Sequence, residues 1–446
     1  MKTLFPFLAG KLSNMAIKEF GLGSGSTWPG HIALKINPQF IKHFLLKKDI
    51  KIILIVGTNG KTTTSKLLTH MLENNGTRVF QNTEGANMVN GLATTLIRNA
   101  NFFGKIKGDV AIFEVDENNL PKVLDQINPA AIVFLNLFRD QLDRYGEIHT
   151  IAEKWRKALK NLPKSTHIFL NADDPEIRNL VKDVAGKTFY YSIPDTYFKK
   201  SKIAQDTDSS HCPQCGAPLT FAKIAYSHLG KYTCKKCTFS NENISLTTDD
   251  IKTPSLVGTY NIYNVHAAVK TAKEIFNLST DEITAALKSF MPAFGRQETI
   301  SYKKRTILML LAKNPAGFNQ SLSVVTPNAT VLLALNDQIP DGKDVSWIWD
   351  IDIETIPEST KKIIITGDRA YDMGLRLKYT SETRNTNFEF RNQPFKMQDK
   401  IHIEVNTKKA VDALVKNTRE GETAYILPTY SAMLEIRKLL TGKEIL

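Results

Sequence analysis

The sequence predicts an α/β protein. A P-loop ATPase-like unit on a parallel sheet is interrupted by a four-cysteine zinc ribbon and followed by a Rossmann-like α/β unit. Three observations carry this. A continuous apolar run, Ile52-Ile53-Leu54-Ile55-Val56, stops at a glycine-rich turn and gives way to helical spacing. Further apolar runs recur downstream in two series, each separated by stretches of helical periodicity. Between the two series lies a polar segment that holds all four cysteines in two close pairs.

Taken in order, residues 1–49 read as a helical lead-in, too short for an independent domain. The break Gly21-Leu22-Gly23-Ser24-Gly25-Ser26 interrupts it, and Pro29-Gly30 marks a turn. The first unit is expected over 50–296. Its apolar run at Ile52–Val56 suits a strand buried on both faces of a parallel sheet. From Thr63 to Asn74 the apolar residues Leu67, Leu68, Met71 and Leu72 keep helical spacing. Val110–Phe113, Ala131–Leu135 and His167–Leu170 read as further buried strands. The cysteine segment, about 205–245, reads as an insertion, after which a helix resumes near Asn261. A boundary falls near Phe294-Gly295-Arg296. The second unit, 297–446, carries strands at Thr306–Leu311, Thr330–Leu335, Lys362–Thr366 and Ala424–Leu427.

A length of 446 residues allows two or three domains with sizeable cores. The net charge of +13 favours an acidic partner, whether nucleic acid, an anionic membrane surface or a phosphorylated substrate. The N-terminus imitates a signal peptide, but Lys11 cuts its apolar run short. No stretch approaches the roughly 18 apolar residues of a membrane-spanning helix, so a cytoplasmic protein is expected. Two close cysteine pairs suit metal binding in a reducing compartment better than disulfides.

The turn Gly57-Thr58-Asn59-Gly60-Lys61-Thr62-Thr63 has the chemistry of a phosphate loop. Its backbone N–H groups and the positive end of the following helix can hold phosphate oxygens. Lys61 would reach the β- and γ-phosphates, and the Thr62 hydroxyl would ligate Mg²⁺. The general motif has a glycine five positions before Gly60, where this chain has Ile55, so the loop is a shortened variant. A tight turn with an accidental lysine is the plain alternative; the strand before and the helix after argue against it. Cys212-x-x-Cys215 and Cys234-x-x-Cys237 supply four thiolates for a tetrahedral Zn²⁺. With every position filled by protein, that metal would be structural, stabilising an insertion rather than binding nucleic acid.

The shortened loop resembles that of the Mur ligase family, which joins a carboxylate to an amine using ATP. Thr83-Glu84-Gly85-Ala86-Asn87 resembles a substrate-side loop of the family. Glu114 stands where the family places a Mg²⁺ ligand, although a helix N-terminal charge would look the same. Asn136-Leu-Phe-Arg-Asp140-Gln141-Leu-Asp143-Arg144 resembles the family's Asn…Asp-His-Leu-Asp stretch, with Gln141 in place of the histidine. Asn261 and Asn264 resemble contacts to the nucleotide base, or are helix caps. Phe294-Gly295-Arg296-Gln297-Glu298 resembles the hinge to the last domain, with Arg296 on a phosphate or paired to a surface acid. Lys313-Asn314-Pro315-Ala-Gly resembles the motif that opens that domain. Lys154 lies where some members carry a carbamylated lysine, and an exposed helical lysine is the alternative.

The short lead-in, the zinc insert and the Asn-Pro-Ala-Gly motif narrow the resemblance to the branch that amidates lipid II. That resemblance implies ATP, Mg²⁺ and structural Zn²⁺ as cofactors. It implies an acyl phosphate on the α-carboxylate of D-glutamate, with Lys61, Glu114 and Arg296 at the site. It also implies a glutaminase partner, GatD, and a place at the inner face of the plasma membrane. In this branch the last domain lends the partner an aspartate, for which Asp344 is first choice and Asp350 second, an ordinary turn being the alternative. A folylpolyglutamate-type amino-acid ligase and a nucleic-acid-dependent NTPase are the competing readings. The insert and the short lead-in speak against the first, and the lack of aromatic stacking platforms against the second.

Overall fold

The computed structural model describes residues 3–21, 25–46, 48–82, 85–139, 148–181, 184–199, 209–242, 244, 251, 256–292, 296–356, 360–384 and 400–443. The first sheet contains β1 (Lys51–Val56), β2 (Val79–Gln81), β3 (Val110–Val115), β4 (Ala131–Phe134), β5 (His167–Asn171) and β6 (Lys187–Tyr191). Its spatial order is β2-β3-β1-β4-β5-β6, and every pairing is parallel. After Lys51, β1 is apolar because both its faces are covered. Ile52, Leu54 and Val56 pack into one core, and Ile53 and Ile55 into the other. The N-terminal helices Leu4–Glu19, Trp28–Ile36 and Phe40–Leu45 complete the first core with Phe7, Phe40 and Phe44. The helices Lys61–Asn74 and Thr259–Phe276 cover the second with Leu67, Met71 and Tyr263.

The cysteine segment forms an antiparallel hairpin of β7 (Thr220–Tyr226) and β8 (Leu229–Thr233). The second large sheet contains β9 (Arg296–Tyr302), β10 (Arg305–Leu310), β11 (Thr330–Ala334), β12 (Lys362–Thr366), β13 (Ile401–Ile403) and β14 (Thr423–Pro428). It runs β13-β12-β11-β14-β10-β9 and is parallel except for β9. The sequence points to a hinge at Phe294–Glu298; the strand over 296–302 gives no signal because Arg-Gln-Glu-Thr-Ile-Ser-Tyr has few apolar residues. As an antiparallel edge strand it needs only one buried face.

β1 has β3 on one side and β4 on the other: the chain winds from β1 to β2 and β3 on one side, then crosses to β4, β5 and β6 on the other. That is the switch point where open α/β sheets bind ligands, at the carboxyl ends of the strands. The phosphate loop lies there. Among the described residues, no helix is long and apolar enough to cross a membrane.

Candidate active site

The loop after β1 is built by backbone geometry that only glycine satisfies at two points. Gly57 has φ +144°, and a Cβ there would lie 2.9 Å from the Asn136 carbonyl oxygen. Gly60 has φ +91°, and a Cβ there would lie 2.0 Å from Asn264 Oδ1. The helix Lys61–Asn74 begins immediately after, so its free N–H groups face the loop. Asn136, at the end of β4, clamps the loop. The Thr58 N–H donates to its carbonyl at 3.0 Å, the Asn59 N–H to its Oδ1 at 2.9 Å, and its own amide donates to the Asn59 carbonyl at 3.0 Å.

Four charged or polar side chains meet at this loop. The Thr62 hydroxyl donates to Glu114 Oε2 at 2.7 Å. The Lys61 ammonium lies 3.2 Å from Glu117 Oε2 and donates to the Gly57 carbonyl. Glu117 is buried in the turn after β3, and the Trp155 indole N–H holds that turn by donating to the Glu117 carbonyl at 2.7 Å. On the other side of Glu114, Asn82 pairs with its backbone at 2.9 and 3.0 Å. Lys154, exposed on the helix Ile148–Leu159, donates to Asn118 in the same turn at 3.2 Å. Neighbouring oxygens of an octahedral Mg²⁺ lie about 2.9 Å apart, given metal–oxygen bonds of about 2.0–2.1 Å. The Thr62–Glu114 spacing fits that requirement.

A cleft opens beside the loop, between the two sheets. Asn59, Gly60 and Asn264 line one wall, Tyr226 and Tyr260 another, and Lys313 and Gly317 the far side. Asn261 and Asn264 lie inside the helix Thr259–Phe276, whose N-cap is Gly258, so neither caps it. Asn261 instead bonds back to the Val257 carbonyl at 2.9 Å and receives Asn264 Nδ2 at 3.0 Å. Across the cleft, Asn59 and Asn314 exchange amide hydrogen bonds at 3.3 and 3.0 Å. Asn314 also caps the helix Pro315–Leu322, accepting from the Gly317 N–H at 2.9 Å.

The four cysteine sulfurs lie within 4.8 Å of one another, with Cys212–Cys237 and Cys215–Cys234 each at 3.5 Å. A tetrahedral zinc with bonds of about 2.3 Å sets its sulfurs about 3.8 Å apart, so the donor set fits. The knuckles match. Gly216 N–H donates to the Cys212 carbonyl at 2.8 Å, and Thr238 N–H to the Cys234 carbonyl at 3.0 Å, both residues at positive φ. Burial pushes the Cys212 thiol up to about 12, while the backbone N–H of Cys237 pulls Cys234 down to about 6. A bound zinc would hold all four as thiolates.

Residues 55–272 match the family model of the Mur ligase middle domain, and residues 311–433 that of the MurT ligase C-terminal domain. A MurT subunit of lipid II isoglutaminyl synthase from Staphylococcus aureus strain COL is 33% identical, over 82% of this chain and 86% of its own length. The chain belongs to the MurT family of Mur ligases. It is an ATP-dependent ligase. The MurT subunit from Streptococcus pneumoniae strain R6 is 31% identical, over 100% of this chain and 98% of its own length. A pseudomurein peptide ligase type C from Methanothermus fervidus has the same fold, with a TM-score of 0.62 and 24% identity over 90% of this chain and 81% of that one. Folylpolyglutamate synthase from Mycobacterium tuberculosis gives 0.59 and 16% over 99% and 96%, a likeness of fold alone.

Of the residues this MurT-family sequence singled out, Gly57–Thr63, Glu114 and Asn264 come together around one cleft. The side chain of Arg296 lies outside the described residues, as do Thr83, Glu84, Asp140, Gln141, Asp143, Arg144, Phe294 and Gly295. Asp344 is away from the loop, exposed, with its carboxylate accepting from the Ser346 N–H at 2.8 Å. That bond holds it below the usual carboxylate range. Asp350 lies 3.8 Å from Arg139. Glu117, Asn82 and Tyr226 were not singled out. Glu117 sits only three residues past Glu114 in Glu-Val-Asp-Glu, and that second acid was the available signal.

Proposed function

We propose that the chain amidates the α-carboxylate of D-glutamate in the stem peptide of lipid II, using ammonia from a separate glutaminase subunit of the GatD kind. The observation that carries this is the Lys61–Thr62–Glu114–Glu117 cluster on a shortened phosphate loop, in a chain of the MurT family. Two relatives named as subunits of lipid II isoglutaminyl synthase (glutamine-hydrolyzing) support the substrate and the need for a partner.

In this reading Tyr226, Tyr260 and Asn264 receive the nucleotide base, and the loop N–H groups hold the phosphates. Thr62 and Glu114 would hold Mg²⁺, which would supply positive charge to the phosphates. A carboxylate oxygen of the substrate attacks the γ-phosphorus, the bond to the β-phosphate oxygen breaks, and ADP leaves. Lys61 then exchanges its contacts with Glu117 and the loop carbonyls for the transferring phosphoryl group, as does Arg296 from the hinge. Ammonia adds its lone pair to the acyl carbon, phosphate departs with the bonding pair, and the nitrogen loses a proton to give the primary amide. Ammonia is already a nucleophile, so no strong base is needed, only exclusion of water.

Asp344 serves the partner. Asp341 fixes its loop by accepting from the Ser431 N–H at 2.9 Å, and Asp344 remains exposed and ionised. An ionised aspartate can orient a partner histidine and stabilise its cation. Asp350, engaged with Arg139, is the weaker choice.

The test is ADP release with lipid II and an ammonium salt, followed by mass analysis for the change of about −1 Da from acid to amide. Lys61→Ala should lower the rate at least about 1,000-fold with either ammonia source. Glutamate-dependent release with a folate, and none with lipid II, would replace this reading with the amino-acid ligase.

A further inference from the structure

The helix Leu4–Glu19 is apolar on two sides, and only one of them is covered. Phe7, Gly10 and Asn14 face inward, with Gly10 so close to the helix Val89–Arg98 that a Cβ would lie 2.6 Å from Ile97. On the outer side Leu4, Phe5, Leu12 and Met15 are exposed by 57, 66, 62 and 51%. At about 100° per residue these four fall in a single stripe roughly 100° wide. Hydrophobic helices of this kind are normally buried all round, so an outer stripe in water needs an occupant.

A neighbouring turn continues the surface. Phe102 and Phe103 are exposed by 56 and 94%. The turn is closed by the Ala100–Ile106 bridge and by Lys48, which donates to the Gly104 carbonyl. Lys11 joins helix to turn, its ammonium 5.9 Å from the ring centres of both Phe7 and Phe102. The rim is cationic, with Lys11 and Lys18 on the helix and Lys105 and Lys107 on the turn, while Glu19 is the one acid of the helix. Burial lowers the pKa of Lys11, and the charges of Lys107 and Lys18 lower it further.

We propose that this surface docks the protein on an anionic bilayer. The outer stripe and Phe103 enter the headgroup–acyl boundary, and the lysines meet lipid phosphates. Two features select a bilayer over a protein partner. The apolar side chains project from a helix face and a loop tip rather than lining a groove, and lysines flank them along one edge of the helix and at the turn, which matches the charge of anionic lipid. The chain's net charge of +13 adds attraction of the same sign. The link to catalysis rests on the proposed function, in which the substrate is itself held in a bilayer. The helix Val89–Arg98 runs from the catalytic turn to this surface. Asn87, just before it, accepts from the Asp116 N–H at 3.0 Å, and Arg98 at its end donates to Asn14 at 2.8 Å. Its length, on the order of 15 Å, sets the height of the site above the lipid.

The test is sedimentation of the purified full chain with phosphatidylglycerol and with phosphatidylcholine vesicles, without substrate. The wild type should bind the first at least about tenfold more tightly, and raised salt should weaken that binding. Phe5→Glu with Phe103→Glu, and separately Lys18→Gln with Lys105→Gln and Lys107→Gln, should each lower it about tenfold or more. Both variants should keep the wild-type unfolding midpoint, as well as the rate on a water-soluble short-chain lipid II analogue, while losing rate on lipid II in vesicles. Equal binding by wild type and variants, or equal binding to both lipids, overturns the proposal. So does loss of the complex with the glutaminase in the same variants, which would make the surface a subunit interface. Because binding is read without substrate, a protein that docks but does not amidate lipid II overturns the functional reading alone.

Discussion

At the residue scale, the cluster at the phosphate loop divides into what spacing reveals and what folding adds. Lys61 and Thr62 were legible because the loop fixes their positions relative to a helix start. Glu114 was legible because it ends an apolar strand. Glu117 left one signal, a second acid three residues past Glu114, but its turn back onto Lys61 was not legible, and Asn82 acts through a backbone pairing that no short pattern encodes. Asp344 is the residue whose role is easiest to isolate. Its carboxylate is ionised well below neutral pH and touches nothing of the phosphate loop. Asp344→Ala should therefore leave the ammonium-driven rate within about twofold and lower the glutamine-driven rate about 100-fold or more, as removal of a histidine-orienting aspartate does. Parallel assays with glutamine and with ammonium chloride check this, and a mutant that ammonium cannot rescue would remove Asp344 from the partner's site.

At the element scale, the long parallel strands were legible because burial on both faces leaves a continuous apolar run. β2 and β13, three residues each, are too short to carry a pattern, and β6 opens on Lys187-Thr188. The hairpin β7–β8 was legible as a metal module but not as a wall of the cleft. Tyr226 reaches that cleft because Phe138 and Tyr263 pack against it, with ring centres 5.8 and 5.9 Å away, and Phe138 in turn exchanges hydrogen bonds with Thr58. Stripping zinc, or Cys212→Ser, should loosen this chain of contacts. KM for ATP should rise at least about threefold, and Tm should fall by about 5 °C or more. Metal analysis by mass spectrometry, calorimetry and ATP titration read the three effects, and an apoprotein with unchanged Tm would separate the cysteines from any metal.

The short helix Pro175–Arg178, just after β5, carries a pH response. Glu176 is buried, which pushes its carboxyl above the usual range against the pull of His149, 2.8 Å away. The folded state thus holds this proton more tightly than the unfolded chain. The stability it contributes is fully present below the ordinary glutamate range and is lost as pH rises through the higher folded value. Glu176→Gln has no proton to lose. The wild-type Tm should therefore fall relative to that of the variant as pH increases from about 4 toward 7, then run parallel to it. Calorimetry of both proteins across that range tests the sign; a wild type that gains on the variant over the same interval contradicts it.

At the scale of the whole molecule, the two sheets must cooperate, because the phosphate loop belongs to one and the far wall of the cleft to the other. The Asn59–Asn314 amide pair joins them at the loop itself, while Gln297 ties the hinge to the helix start, accepting from the Val257 N–H at 2.8 Å and donating to the Tyr260 hydroxyl at 2.7 Å. Asn314 has two tasks that substitution can separate. A serine keeps an oxygen for capping the helix Pro315–Leu322 but is too short to reach Asn59. Asn314→Ser should therefore leave Tm close to wild type and lower kcat about tenfold, because the far wall no longer closes on the loop. Asn314→Ala should lose the same rate and also about 1 kcal/mol of stability with the cap. The double variant Asn59→Ala, Asn314→Ser should be no slower than the worse single variant, since both remove one bridge. Rates that multiply instead would mean that the two amides act separately, and that closure is governed by the hinge at Gln297.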